Sequence, residues 1–131
     1  MAADSILDEG FLSPHINSYV AEHVEENREI CEIAEALNRV GQGILAQAEL
    51  TVIAQEVADP KPIALLLLIR TMSGFQAVIL LSERGMIVEA RTLAGSCYEN
   101  VYVLSALKKD GEALVKAMVA DEMHARKTGS R

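Results

Sequence analysis

From Ile16 onward the apolar positions Ile16, Val20, Val24, Ile30, Ala34, Leu37, Ile44, Ala48 and Val52 recur in phase with a helical turn, while Glu22, Glu25, Glu26, Glu29, Glu32 and Glu35 fall on the opposite side. That pattern predicts a long amphipathic first helix with an acidic outer face. Gly41 and Gly43 weaken helix propensity inside it, so a kink is expected there. The run must stop before Asp59, Pro60, Lys61 and Pro62, because proline cannot continue a helix from the preceding turn.

From Pro62 to about Glu83 the pattern changes: apolar residues occupy almost the whole circumference of the second helix. Such a helix belongs at the centre of a bundle or in a subunit interface. Arg84 and Gly85 make a tight reversal, residues 86–109 form a third helix, Asp110 and Gly111 punctuate the chain, and residues 112–126 form a fourth, shorter one. The predicted fold is all-α, an antiparallel four-helix bundle with a long, kinked first helix. Residues 1–15 carry turn formers and Pro14 and read as a flexible N-terminal arm, leaving residues 16–131 as a single domain. No internal repeat or low-complexity segment interrupts it.

Composition supports the helical reading and narrows the partners. Aromatic residues make up 4% of the chain and tryptophan is absent, the usage of packed helices rather than of strands. A formal charge of −7 repels phosphate backbones, which disfavours general nucleic-acid binding. Cys31 and Cys97 show neither CxxC nor Cys/His spacing, so they read as reduced thiols of a cytoplasmic protein. Residues 63–81 are long enough to cross a bilayer, but Arg70, Thr71, Ser73 and Gln76 lie inside the run, and a central arginine costs about 2.5–3.5 kcal/mol on insertion. A bundle helix is the reading, with no membrane partner. The apolar second helix and the long first one together predict a homodimer, with a further protein partner compatible with the same surfaces.

Arg70 is the residue this architecture must explain. In a hairpin reversing between Arg84 and Gly85, residues equidistant from the turn lie at one level: Arg70 with Glu99, Gly74 with Gly95, Ala77 with Thr92, and Leu81 with Val88. Positions 63, 67, 70, 74, 77 and 81 would then pack against 88, 92, 95, 99 and 102 at heptad spacing. A buried Arg70–Glu99 salt bridge is expected to lock the hairpin, with about 3–5 kcal/mol lost if Glu99 alone is removed. Arg91 lies beside Tyr98 on the same wheel, with Glu89 and Glu83 as further partners. The same Arg70, Glu99, Arg91, Tyr98 and Glu89 form the candidate polar pocket for an anionic ligand if they are not structural pairs.

Other chemistry finds little support. The nearest metal-binding steps, His23 with Glu26 and Asp121 with His124, depart from the Glu-x-x-His pattern of dinuclear bundles and lack partner carboxylates, so no metal and no cofactor is implied. Ser73, Ser96 and Ser105 lie within helices with no neighbouring histidine and no GxSxG elbow. GQG at 41–43 lacks the strand and lysine of a phosphate loop.

Residues 70–107, RTMSGFQAVILLSERGMIVEARTLAGSCYENVYVLSAL, resemble an uncharacterised bacterial family of all-helical domains of unknown function through Arg70, Gly85, Glu89, Ala90 and Glu99. The resemblance implies a distant similarity to small helical nucleotide-binding and ribonuclease (HEPN-like) domains of toxin–antitoxin and phage-defence systems. Their signature, an arginine followed after four to six residues by a histidine, has no match here. Three functions follow as expectations. The first is a non-enzymatic interaction or regulatory module. The second is a nuclease-like or nucleotide-modifying enzyme built on Arg91, Tyr98 and Glu99, and the third is a metal or small-ligand binding bundle.

Overall fold

The computed structural model describes residues 7–48 and 58–128. Among them there is no strand, and the helical segments number five: a short 3-10 turn at Gly10–Leu12, then α1 (Ile16–Glu26), α2 (Arg28–Gln47), α3 (Lys61–Glu83) and α4 (Ile87–Thr128). The all-α class is as expected. The end of the first helix near Val52 and residues 1–6 of the arm lie outside the described residues. Part of the arm is anchored: Ser13 is buried, and Phe11 lies beside Gly85 in the α3–α4 turn.

The predicted long first helix is two helices. Its break falls at Asn27, whose φ of −113° and ψ of 25° leave the helical region, and not at Gly41 or Gly43. The Asn27 side-chain amide donates to the His23 carbonyl at 2.9 Å, in competition with the backbone for that acceptor. Gly41 instead stays helical because α2 crosses α3 there, and a side chain at that position would collide with Met72. A hydrogen bond from Gln76 to Asn38, 2.9 Å long, fastens the same two helices.

The α3–α4 hairpin turns as predicted. Gly85 adopts a φ of +76°, its N–H donates to the Ser82 carbonyl, and the Met86 N–H donates to the Leu81 carbonyl at 2.9 Å. This pair of bonds is a Schellman cap, which needs a left-handed residue that glycine supplies without a Cβ penalty. Going away from the turn, Gly74 and Thr71 meet Cys97, and Pro60 meets Gly111. The helices are therefore antiparallel, with levels close to those counted from the turn.

Rotation about the α4 axis differs from the prediction. Val88, Thr92, Gly95, Glu99 and Tyr102 are exposed, whereas Ala90 is buried and Leu93, Ala94 and Cys97 are half-buried. The small side chains of Ala90, Ala94 and Cys97 permit close approach; the bulkier Val88 and Tyr102 do not. On α3 the expected stripe holds except at Arg70, which is exposed. Within α4 the backbone leaves the helical region at Asp110, with φ −154° and ψ 69°, where punctuation was predicted. The Asp110 carboxylate accepts from the Ala113 N–H at 3.4 Å, at the start of the following segment.

Helix α3 lies between α2 and α4, and most of its residues are half-buried, with Met72 buried. The buried apolar residues are Ile16, Met72, Ala90, Leu107 and Val115 among the described residues. Large apolar side chains remain exposed on every α-helix, among them Tyr19, Ile30, Leu66, Leu80, Tyr98 and Met118.

Candidate functional site

Two grooves run along the α3–α4 hairpin, separated by the line on which the helices touch. Cys97 stands on that line and borders both. Its thiol donates weakly to the Thr71 carbonyl at 3.7 Å, and burial between the helices raises its pKa above the ordinary thiol value. Close approach here depends on Gly74, where a Cβ would stand 2.9 Å from the Cys97 sulfur.

The first groove, about 450 Å³, is mixed in character. Arg70, Ser73, Ser96 and Asn100 bring polar groups to it, over a floor that includes Gly74 and Ala77. The arrangement offers an arginine and three neutral hydrogen-bonding side chains to an anion entering from solvent.

The second groove, about 540 Å³, is overwhelmingly apolar and is built by three helices. Leu37, Val40 and Ile44 of α2 form one bank, Tyr98 and Val101 of α4 the other, and Leu68, Met72 and Phe75 of α3 lie between them. Apolar troughs of this kind receive amphipathic helices in helix-in-groove recognition.

The residues singled out from sequence separate between these surfaces. Arg70 borders the polar groove and Tyr98 the apolar one; Arg91, Glu89 and Glu99 are exposed and border neither. The buried Arg70–Glu99 pair is corrected: both residues are exposed, and the ion pairs among the described residues join Arg28 to Glu25, Arg39 to Glu35, Lys116 to Glu112 and Arg126 to Glu122. Equal distance from the turn puts Arg70 and Glu99 at one level, but α4 is rotated so that Asn100, not Glu99, faces the groove. Among the described residues no three His, Cys, Asp or Glu side chains gather within reach of one metal ion.

Sequence reasoning placed Ile30, Leu37 and Ile44 on the apolar side of the first helix but missed that this side stays exposed. Ile30, Ile33, Leu37, Val40 and Ile44 follow one another at steps of three and four along α2, and all are exposed. That alternation is legible as a heptad seam. It was obscured because the inward-facing Ala34 and Gly41 supply a second apolar face to the same helix.

No curated protein and no solved structure matches the chain. A family model does match, over residues 61–129, from the first residue of α3 past the last of α4, so the matched span is the hairpin while α1 and α2 lie outside it. By that match, over more than half its length, the chain belongs to the Family of unknown function DUF5677.

Proposed function

We propose that this protein is a non-enzymatic helical interaction module whose working surface is the apolar groove formed by α2, α3 and α4, and whose partner is a protein helix. The observation that carries the reading is the groove's two exposed apolar banks, Leu37, Val40 and Ile44 on α2 and Tyr98 and Val101 on α4. Exposed apolar patches of this extent mark interaction sites, because leaving them in water forfeits roughly 25 cal/mol for each Å² that a partner would cover.

A lipid bilayer would also cover apolar surface, and α3 is long and hydrophobic enough to span one, with a mean hydropathy of 2.0. Two features favour a protein partner in the cytoplasm. Arg70 sits near the middle of α3, and α3 is tied by the Gln76–Asn38 hydrogen bond to α2, whose outer face carries Glu29, Glu32 and Glu35. Burying that charged neighbour in hydrocarbon would cost several kcal/mol more than burying α3 alone. The test is a photo-crosslinking amino acid placed at Tyr98 in the full chain. Protein adducts are expected, and adducts confined to lipid, or none, would overturn the reading.

The polar groove supports a second reading, an anionic small ligand held by Arg70 with Ser73, Ser96 and Asn100. Titration with inorganic phosphate, followed by NMR, would shift these residues in the wild type and leave an Arg70→Gln variant unmoved. Equal shifts in both proteins, or none in either, would remove this reading. The nuclease-like alternative has less geometric support, since Tyr98 alone of Arg91, Tyr98 and Glu99 borders a groove.

A further inference from the structure

We infer that the helix received by the apolar groove is α2 of a second copy of this chain, packed antiparallel to the first α2 about a twofold axis at Leu37. The inference deepens the interaction-module reading and rests on it.

Three observations single out this occupant. The first is the seam itself: Ile30, Ile33, Leu37, Val40 and Ile44 are between 53% and 69% exposed and keep heptad spacing over four turns, the pattern by which one helix packs on another of the same kind. Leu37, Val40 and Ile44 are also the α2 bank of the groove. A helix laid on the seam therefore meets Tyr98 and Val101 on the far bank as well, and a three-helix trough becomes a closed four-helix arrangement.

The second observation is the flank. Ala36 and Gly43 border the seam on its solvent side, and nothing lies within 4 Å of a Cβ built at Gly43. Small flanking residues let a second backbone approach closely over the C-terminal part of the seam, while Glu29 holds the same flank at its N-terminal end. The charges farther round decide the direction. Residues 28–35 carry Arg28, Glu29, Glu32 and Glu35, whereas residues 36–47 carry Arg39 alone. A parallel pair would set acidic half against acidic half; the antiparallel pair sets each against a weakly basic one and opposes the helix dipoles favourably.

The third is area. The five seam residues are each more than half exposed, and across the groove Tyr98 and Val101 are 68% and 48% exposed. A second α2 laid along them covers all seven in one interface, toward the ~800 Å² that each partner contributes to a standard one.

The test is sedimentation of the full chain with two sets of variants. Wild type is expected to be a dimer at micromolar concentration, and Leu37→Glu, which brings two carboxylates together on the axis, to weaken it by about a hundredfold or more while retaining the wild-type helical circular dichroism. In a background lacking Cys31 and Cys97, Leu37→Cys is expected to form a disulfide with its own copy on oxidation. Ile30→Cys is not, because the two copies of residue 30 would lie about 20 Å apart at 1.5 Å per residue. Self-linking by Ile30→Cys, or a dimer untouched by Leu37→Glu, would overturn the antiparallel α2 seam. A wild-type monomer that still gives protein crosslinks from position 98 would overturn self-association and leave the interaction module standing. A monomer without such crosslinks would overturn both.

Discussion

At the scale of single residues, the same amino acid carries opposite consequences according to what faces it. A Cβ at Gly111 would stand 2.6 and 2.7 Å from the Cβ and Cγ of Pro60, a ring that cannot swing aside, whereas nothing lies within 4 Å of a Cβ at Gly95. Gly111→Ala is therefore expected to lower stability by about 1–2 kcal/mol, and Gly95→Ala to raise it by up to about 1 kcal/mol through helix propensity. Urea denaturation measures both. Glu99 is exposed, so Glu99→Gln is expected to leave the melting curve within about 0.5 kcal/mol of wild type; a loss of 3 kcal/mol or more would restore the buried pair. Burial raises the Cys97 pKa, so the folded chain holds its proton more tightly than the unfolded chain. The stability this contributes is complete below the unfolded thiol value of about 9.0 and is lost as pH rises through the higher native value. Urea midpoints of wild type and Cys97→Ala are expected to converge on the alkaline side.

At the scale of elements, the hairpin shows how far a linear pattern reaches. Arg84 and Gly85 between two helical runs predicted the reversal, and counting outward from it predicted the levels at which α3 and α4 meet, because the rise per residue is the same on both strands of a helical hairpin. Rotation was not legible. Helix α3 is apolar on all sides and so indicates no preferred face, and α4 chose the face whose small residues let the axes approach, Ala90, Ala94 and Cys97. The turn itself is demanding. Gly85→Ala forces a side chain into a φ of +76° and is expected to destabilise the hairpin by about 1–2 kcal/mol, read as a lowered thermal midpoint. An unchanged midpoint would mean that the Schellman cap contributes nothing.

At the scale of the molecule, the described residues bury few apolar side chains and leave many exposed. On the proposed α2 seam, pairing of two copies contributes to stability by covering exposed apolar residues. The melting temperature is accordingly expected to rise with protein concentration, by mass action on the associated form. A midpoint constant over a hundredfold range of concentration would show that the apolar surface is covered within one chain.

The sequence by itself determined that the protein is helical, where the hairpin turns, where α4 is interrupted at Asp110, and that α2 presents glutamates to water. These follow from local propensity, glycine and proline chemistry and the periodicity of apolar residues, all of which act over a few turns. Tertiary structure alone decided that the first helix breaks at Asn27, that Arg70 opens onto a mixed groove while Glu99 turns away, and that the seam of α2 borders the apolar groove. Each of these depends on the rotation of one helix against another, and that rotation is set by the volumes of side chains brought together from distant parts of the chain.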